Sequence, residues 1–255
     1  MRNQLPMQRS ALTMTASGSR QRGFTLIEIA VAMFVIALLL GSLLIPLTTQ
    51  VEQRQISEVQ KALEEIKESI IGFAAANGYI PCPDKTSAAG AGTMNDGQED
   101  VTAATGACVV TEGNLPWVTL GVANMDPWGN RFRYRVSGPF AQRSPSPTFT
   151  LTSTSSAEVC AATGCGTRLT VATDGPPAII LSHGRNGYGA INSNSGVANT
   201  APTSADELEN TNGDATYVYR VATAMGAAVG EFDDIVAWIS RNVLLNRMVT
   251  AGKLP

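Results

Sequence analysis

Residues 23–47 read GFTLIEIAVAMFVIALLLGSLLIPL, and this stretch decides how the rest of the chain is organised. Glu28 is its only charge, and from Ile29 onward the uncharged run meets the length expected of a helix that crosses a hydrocarbon core. At about 1.5 Å per residue a helix over 24–47 reaches roughly 36 Å, enough for that crossing. A carboxylate at such depth costs a few kcal/mol, so Glu28 calls for a specific partner. A plain anchor with an incidental glutamate is the competing reading.

Gly23, Phe24, Thr25, Leu26, Ile27 and Glu28 together resemble the cleavage and methylation motif of type IV prepilins and type II secretion pseudopilins. The likeness rests on a glycine, an aromatic new N-terminus, a glutamate at the fifth mature position and the apolar run that follows. It implies that a prepilin peptidase cuts after Gly23 and that Phe24 is then N-methylated. It also implies that Glu28 serves assembly by pairing with the N-terminal amine of a neighbouring subunit, which would neutralise two charges otherwise stranded among apolar helices. The implied fold is α+β and pilin-like: a long N-terminal helix, half membrane-spanning and half amphipathic, packed against an antiparallel β-sheet head. The expected divisions are a cleaved leader at 1–23, a transmembrane or filament-core half-helix at 24–48, an amphipathic half-helix at 49–77 and a head at 78–255.

An ordinary secretory signal is cleaved after its apolar run, whereas the expected site here lies before it, so the anchor stays on the mature protein. Losing the leader removes Arg2, Arg9, Arg20 and Arg22 and no acid, which takes the formal net charge from -3 to -7. That balance argues against a nucleic-acid-coating surface. A basic leader held in the cytoplasm places everything beyond the anchor in an oxidising compartment, the periplasm. Cys82, Cys108, Cys160 and Cys165 all lie there, and four cysteines allow three pairings. The reading favours Cys160 with Cys165, closing the CAATGC loop, and Cys82 with Cys108, closing a glycine-rich excursion. Zinc is disfavoured, because no C-x-x-C spacing occurs and the chain has a single histidine, His183.

Pro46 predicts a kink or loosened hydrogen bonding near the end of the apolar run. After Thr49, Ile56, Val59, Leu63, Ile66, Ile70 and Phe73 recur at helical spacing, with Glu58–Lys61 and Glu64–Lys67 as i,i+3 pairs on the charged side. Asn77 and Gly78 supply a stop. Residues 79–113 carry loop chemistry, with Asp84, Asp96, Glu99 and Asp100 read as a solvated acidic set without EF-hand spacing.

In LPWVTLGVANMDPWGNRFRYRVSG, residues 115–138, DPWGN is a turn. Phe132, Tyr134 and Val136 then alternate with Arg131, Arg133 and Arg135 as a half-buried strand does, the arginines forming its solvent face. The run DPWGNRFRYRV resembles the DPWGNPY-type turn and strand of major pseudopilins. Further strands are predicted at 148–152, 168–173, 178–182 and 216–222. A C-terminal helix is expected to start at Asp233 and Asp234 and to carry Ile235, Ile239, Val243 and Leu244. FDDIVAWIS also resembles the ending of pseudopilins that bind calcium in this region, which makes Asp233 and Asp234 calcium candidates; helix capping is the simpler role for them.

The leading function is therefore structural: a subunit, and by its large loop-rich head a minor one, of a type IV pilus or secretion pseudopilus. Its expected partners are the prepilin peptidase and methylase, other pilin or pseudopilin subunits, an inner-membrane assembly platform, and lipid before assembly. The alternative is a filament-tip binding subunit on the same anchor, serving adhesion, DNA uptake or recognition of secreted substrates through the polar loops at 84–107 and 184–213. No enzyme is expected: one histidine forbids any site needing two, and H-E-x-x-H, Walker A and G-x-S-x-G patterns do not occur. No cofactor other than calcium is suggested.

Overall fold

A computed structural model of the chain describes residues 23–143, 149–171 and 174–254, the side chains of 42–48 excepted. The elements in chain order are helix α1 (Leu26–Asn77), strand β1 (Glu112–Asn114), helix α2 (Trp117–Leu120), strand β2 (Arg133–Val136) and helix α3 (Gly138–Ala141). They continue with β3 (Glu158–Cys160), β4 (Ala178–Ser182), α4 (Ala205–Glu209), β5 (Thr216–Val218), β6 (Ile235–Ile239) and α5 (Arg241–Thr250). The fold is α+β, with an N-terminal helix and an antiparallel sheet. The chain divides into two compact units, Met1–Gln50 and Val51–Pro255.

In the first unit, α1 begins with an N-terminal box. The Glu28 carboxylate accepts from the Thr25 amide and hydroxyl, each at 2.8 Å, and the Glu28 amide donates back to Thr25 Oγ1 at 3.3 Å. This T-x-x-E arrangement satisfies two of the amides that a helix start leaves orphaned. Among the described residues no helix is long and apolar enough to cross a membrane. The leader lies outside the described residues; at Pro46 the backbone is described, as part of α1, and the side chain is not.

In the second unit, α1 turns a buried stripe of Val59, Leu63, Ile66, Ile70 and Ala74 onto the sheet. Each of the four larger side chains contributes about 1.5–3 kcal/mol by leaving water. On the opposite side Lys67 pairs with Glu64 as the spacing predicts. Glu58 instead takes Arg54 and Lys61 takes Glu65, both at i,i+4. The helix ends where Gly78, at φ +86°, sends its amide to the Ala74 carbonyl at 2.7 Å.

The sheet runs β1-β2-β4-β6, antiparallel throughout, and the parallel pair β3–β5 forms a second, smaller sheet. Phe132, Tyr134, Val136, Ala178, Ile180 and Ile239 join the α1 core, together with Leu244, Leu245 and Met248 of α5. Ile179, Leu181 and Val236 pack on the other face with Ala157, Val159 and Tyr217. Strand β4 is thus covered on both faces, which is why AIIL reads as an unbroken apolar run.

Several expectations need correction. Asp233 and Asp234 precede strand β6, not a helix; α5 starts only at Arg241. IVAWI alternates between the two cores, Ile235, Ala237 and Ile239 toward one and Val236 and Trp238 toward the other, so a period of two overrides the helical spacing that the same residues also fit. No strand forms over 149–152 or 168–171, the remainder of those two ranges lying outside the described residues, and the strand expected at 216–222 stops at Val218.

The loop at 79–113 is not merely solvated. The structure joins Cys82 to Cys108 and Cys160 to Cys165. Asp84 is buried, exchanges two backbone hydrogen bonds with Asn114 and accepts at Oδ2 from Gly97 N at 3.1 Å. Asp100, also buried, accepts from Lys85 N at 2.8 Å. Only Gly113 permits this approach, since a Cβ there would lie 2.3 Å from the Asp84 carbonyl oxygen. Burial, resisted by the Gly97 and Asn114 hydrogen bonds, raises the Asp84 pKa to about 6.

Candidate processing segment and acidic cluster

The segment Gly23–Glu28 has the accessibility that processing and modification require. Gly23 has open space around it, and Phe24 is 82% exposed. Beyond it, Ile27, Val31, Phe34, Leu38 and Leu40 are exposed as well, so this half-helix presents an apolar surface that the described chain does not cover. Glu28, also exposed, is held by Thr25 in the N-terminal box. Residues 18–44 match the sequence model of the prokaryotic N-terminal methylation motif. The chain carries the type IV prepilin and pseudopilin signature. No curated protein and no solved structure matches it. The signature implies processing by a prepilin peptidase and assembly with other pilins, and its holders are generally structural proteins.

Within the head, polar side chains gather where β2, β4 and β6 meet their connecting loops. Glu112 of β1 accepts from Arg133, from Arg135 at 3.2 Å and from the Tyr217 hydroxyl at 2.5 Å. Arg133 and Arg135 are therefore ion-paired and only partly exposed, and Arg131 lies 3.9 Å above the Trp117 ring. The expected arginine solvent face is instead a set of internal ties: Glu112 on the neighbouring strand supplies the counter-charge for Arg133 and Arg135, and Arg131 donates to the Asn124 and Ser193 carbonyls.

The Arg133 network continues through the only histidine. Arg133 Nε donates to His183 Nε2 at 3.0 Å, and His183 Nδ1 lies 3.2 Å from Asp234 Oδ1. Arginine can only donate, so Nε2 is the acceptor and Nδ1–H donates to Asp234. Asp234 Oδ2 accepts in turn from Asn210 at 2.8 Å. His183 is fully buried and opens the turn that follows β4, its carbonyl accepting from Gly187 N at 3.0 Å.

Beside this network Glu207 of α4, Asp233 and Asp234 bring carboxylate oxygens within 4.8 Å of one another. Glu207 Oε1 accepts from Asn186 Nδ2 at 3.1 Å and from Asp233 N at 3.0 Å, and Asp233 Oδ2 accepts from Asn186 N at 2.8 Å. Glu207 Oε2 and Asp233 Oδ1 are buried and take no hydrogen bond. Burial is the main cause that pushes Asp233 up to about 7; the Asn186 bond opposes it, and the Asp234 and Glu207 charges add to it. Glu207 is raised by burial and then by Asp234. An all-oxygen donor set with two unclaimed buried oxygens fits a hard cation such as calcium, which would supply the charge these acids lack.

Sequence alone marks Asp233 and Asp234 as candidates and His183 only as the single histidine; it does not mark Glu207, Asn210 or Glu112. Nothing in the spacing of SADELEN ties Glu207 to a pair 26 residues away.

Proposed function

We propose that the protein is a structural subunit, and a minor one, of a type IV pilus or type II secretion pseudopilus. It is cleaved after Gly23 and N-methylated at Phe24, and it is held in the inner membrane by residues 24–47 with its head in the periplasm until assembly. The carrying observation is the methylation motif followed by a half-helix whose apolar side chains are turned outward. By sequence the uncharged run continues from Ile29 through Leu47, which gives it spanning length. Such a surface needs lipid first and neighbouring helices afterwards. Glu28 then leaves Thr25 to pair with the amine of the next subunit. Replacing Glu28 with Ala is expected to leave processing and membrane insertion intact and to abolish incorporation into sheared filaments. Normal incorporation would overturn the assembly role.

The structural reading is preferred to tip binding because polar side chains at the base of both loops are engaged internally. Asp84 and Asp100 hold the loop at 84–107, while Asn186 and Asn199 tie the loop at 184–213 to Glu207, Asn130 and the Gly187 carbonyl.

A second reading concerns the acidic cluster. The two unclaimed oxygens on Glu207 and Asp233 favour calcium held by Glu207, Asp233 and Asp234. Added calcium chloride should raise the melting temperature of the chelator-treated full chain and leave that of a Glu207→Gln, Asp233→Asn variant unchanged. Equal melting with and without calcium in the wild type removes this reading.

A further inference from the structure

The connection between β5 and β6 carries an apolar stretch with no role so far. From Val221 to Gly230 it reads VATAMGAAVG, uncharged throughout and bounded by Arg220 and Glu231. Val221, Met225 and Val229 are 85%, 80% and 67% exposed. The loop is nevertheless built. Thr223 and Phe232 exchange backbone hydrogen bonds, and the Arg220 guanidinium reaches the Val229 and Gly230 carbonyls while lying 4.6 Å above the Phe232 ring. Ala227 N to Ala224 O and Gly230 N to Ala227 O close the tip. Three large apolar side chains are therefore presented to the outside on a fixed frame, an arrangement that ordinarily marks an interaction surface.

Its position says which surface. Tyr219, Arg220, Val221 and Ala222 wall a cavity of about 240 Å³ together with Glu52, Ile56 and Gln60 of α1. Arg185 fastens the same level of the head to Glu52 at 3.5 Å. Glu52 stands five residues beyond Leu47, where the uncharged run ends. Five residues reach about 7.5 Å as helix and about 17 Å fully stretched. The polar zone on each side of a hydrocarbon core is roughly 5–8 Å deep. The covalent tether alone thus keeps Glu52, whose cavity the base of the hairpin walls, within reach of the headgroup zone.

We propose that Val221–Gly230 dips into the boundary between headgroups and acyl chains beside the chain's own anchor, and so steadies the head on the membrane before assembly. This rests on the membrane-anchor reading given above. Its chemistry is that of an interfacial segment: apolar side chains buried by several ångströms, with Glu231 left at the polar edge and Arg220 neutralised inside the head by Asp206 at 2.6 Å. A neighbouring copy of the head is the rival occupant.

The test reconstitutes the full chain bearing M225W into vesicles of phosphatidylcholine, with or without bromines on the acyl chains near the headgroup. The wild type, with its own three tryptophans, gives the background. Because Met225 is an exposed position, the added indole leaves the fold intact, and the circular dichroism spectrum is compared with that of the wild type. Alkaline carbonate extraction of the same vesicles reports the anchor separately. The added emission is expected to be roughly halved by the brominated lipid, as befits an indole a few ångströms inside the interface. A chain that resists carbonate while its added indole escapes quenching overturns the hairpin proposal and leaves the anchor standing. A chain released by carbonate overturns both. Quenching that is absent in vesicles, with cross-linking between copies that V221S/M225S/V229S abolishes, assigns the surface to a second copy and overturns the lipid assignment.

Discussion

The two ends of α1 obey the same helical geometry and opposite burial rules. Around Leu38, which is 58% exposed, apolar side chains face outward; around Ile66 they are sealed against the sheet. The difference teaches that apolar character alone does not say what a helix packs on. The later half finds its partner in its own head; for the earlier half the proposed function supplies one in lipid or in other subunits.

That contrast can be broken most severely at Ile66. Ile66→Ala should cost about 2–5 kcal/mol of head stability, whereas Leu38→Ala should leave the head's thermal transition unmoved and lower filament yield instead. Equal thermal losses from both would dissolve the distinction. Next come the disulfides. Opening Cys82–Cys108, which are 26 residues apart, should cost about 3.5 kcal/mol, and opening Cys160–Cys165 about 2 kcal/mol, in denaturant titrations of the Cys→Ser pairs.

A smaller effect is expected from Asp84. Its folded pKa of about 6 is raised above the ordinary 3.8, so its contribution is fully present below the lower value and lost as pH rises through the upper one. Wild-type stability should therefore fall between pH 5 and pH 8 by on the order of 1 kcal/mol more than that of Asp84→Asn. Parallel pH profiles for the two proteins would count against a buried, ionising Asp84. The smallest change is Thr25→Ala, which removes the box but keeps the Glu28 carboxylate, at a cost of about 1 kcal/mol or less to the helix start. Filaments should survive it and not Glu28→Ala. If both variants lose filaments alike, Glu28 acts through the cap.

Local signals explain what the sequence made visible. The GFTLIE motif, the apolar run, the stripe from Val59 to Ile70 and the Gly78 stop are all written within a few residues of where they act. So are the DPWGN turn, in which Asp126 accepts from the amides of Trp128 and Asn130, and β4 with its continuous apolar run. Strand β6 looks helical in the sequence because IVAWIS satisfies both periods at short range, and only its pairing with β4 decides between them. Strands β1 and β3 are three residues each, too short to imprint a period. The acidic cluster and the Glu112 ties were illegible for another reason: their members come from separate strands and loops, and a single sequence carries no mark of which distant charge answers which.

The close contact between Gly113 and Asp84 reaches beyond local packing. By laying the Asp84 segment along β1 it occupies hydrogen-bonding groups at the border of the sheet that would otherwise invite a foreign strand. On the proposed function, heads held side by side in a membrane and later stacked along a filament would meet at very high local concentration. A guarded border lets them crowd without fusing through their sheets. A methyl group at Gly113 would lift that guard, and its first visible consequence would be clumping of the protein, ahead of any loss of secondary structure.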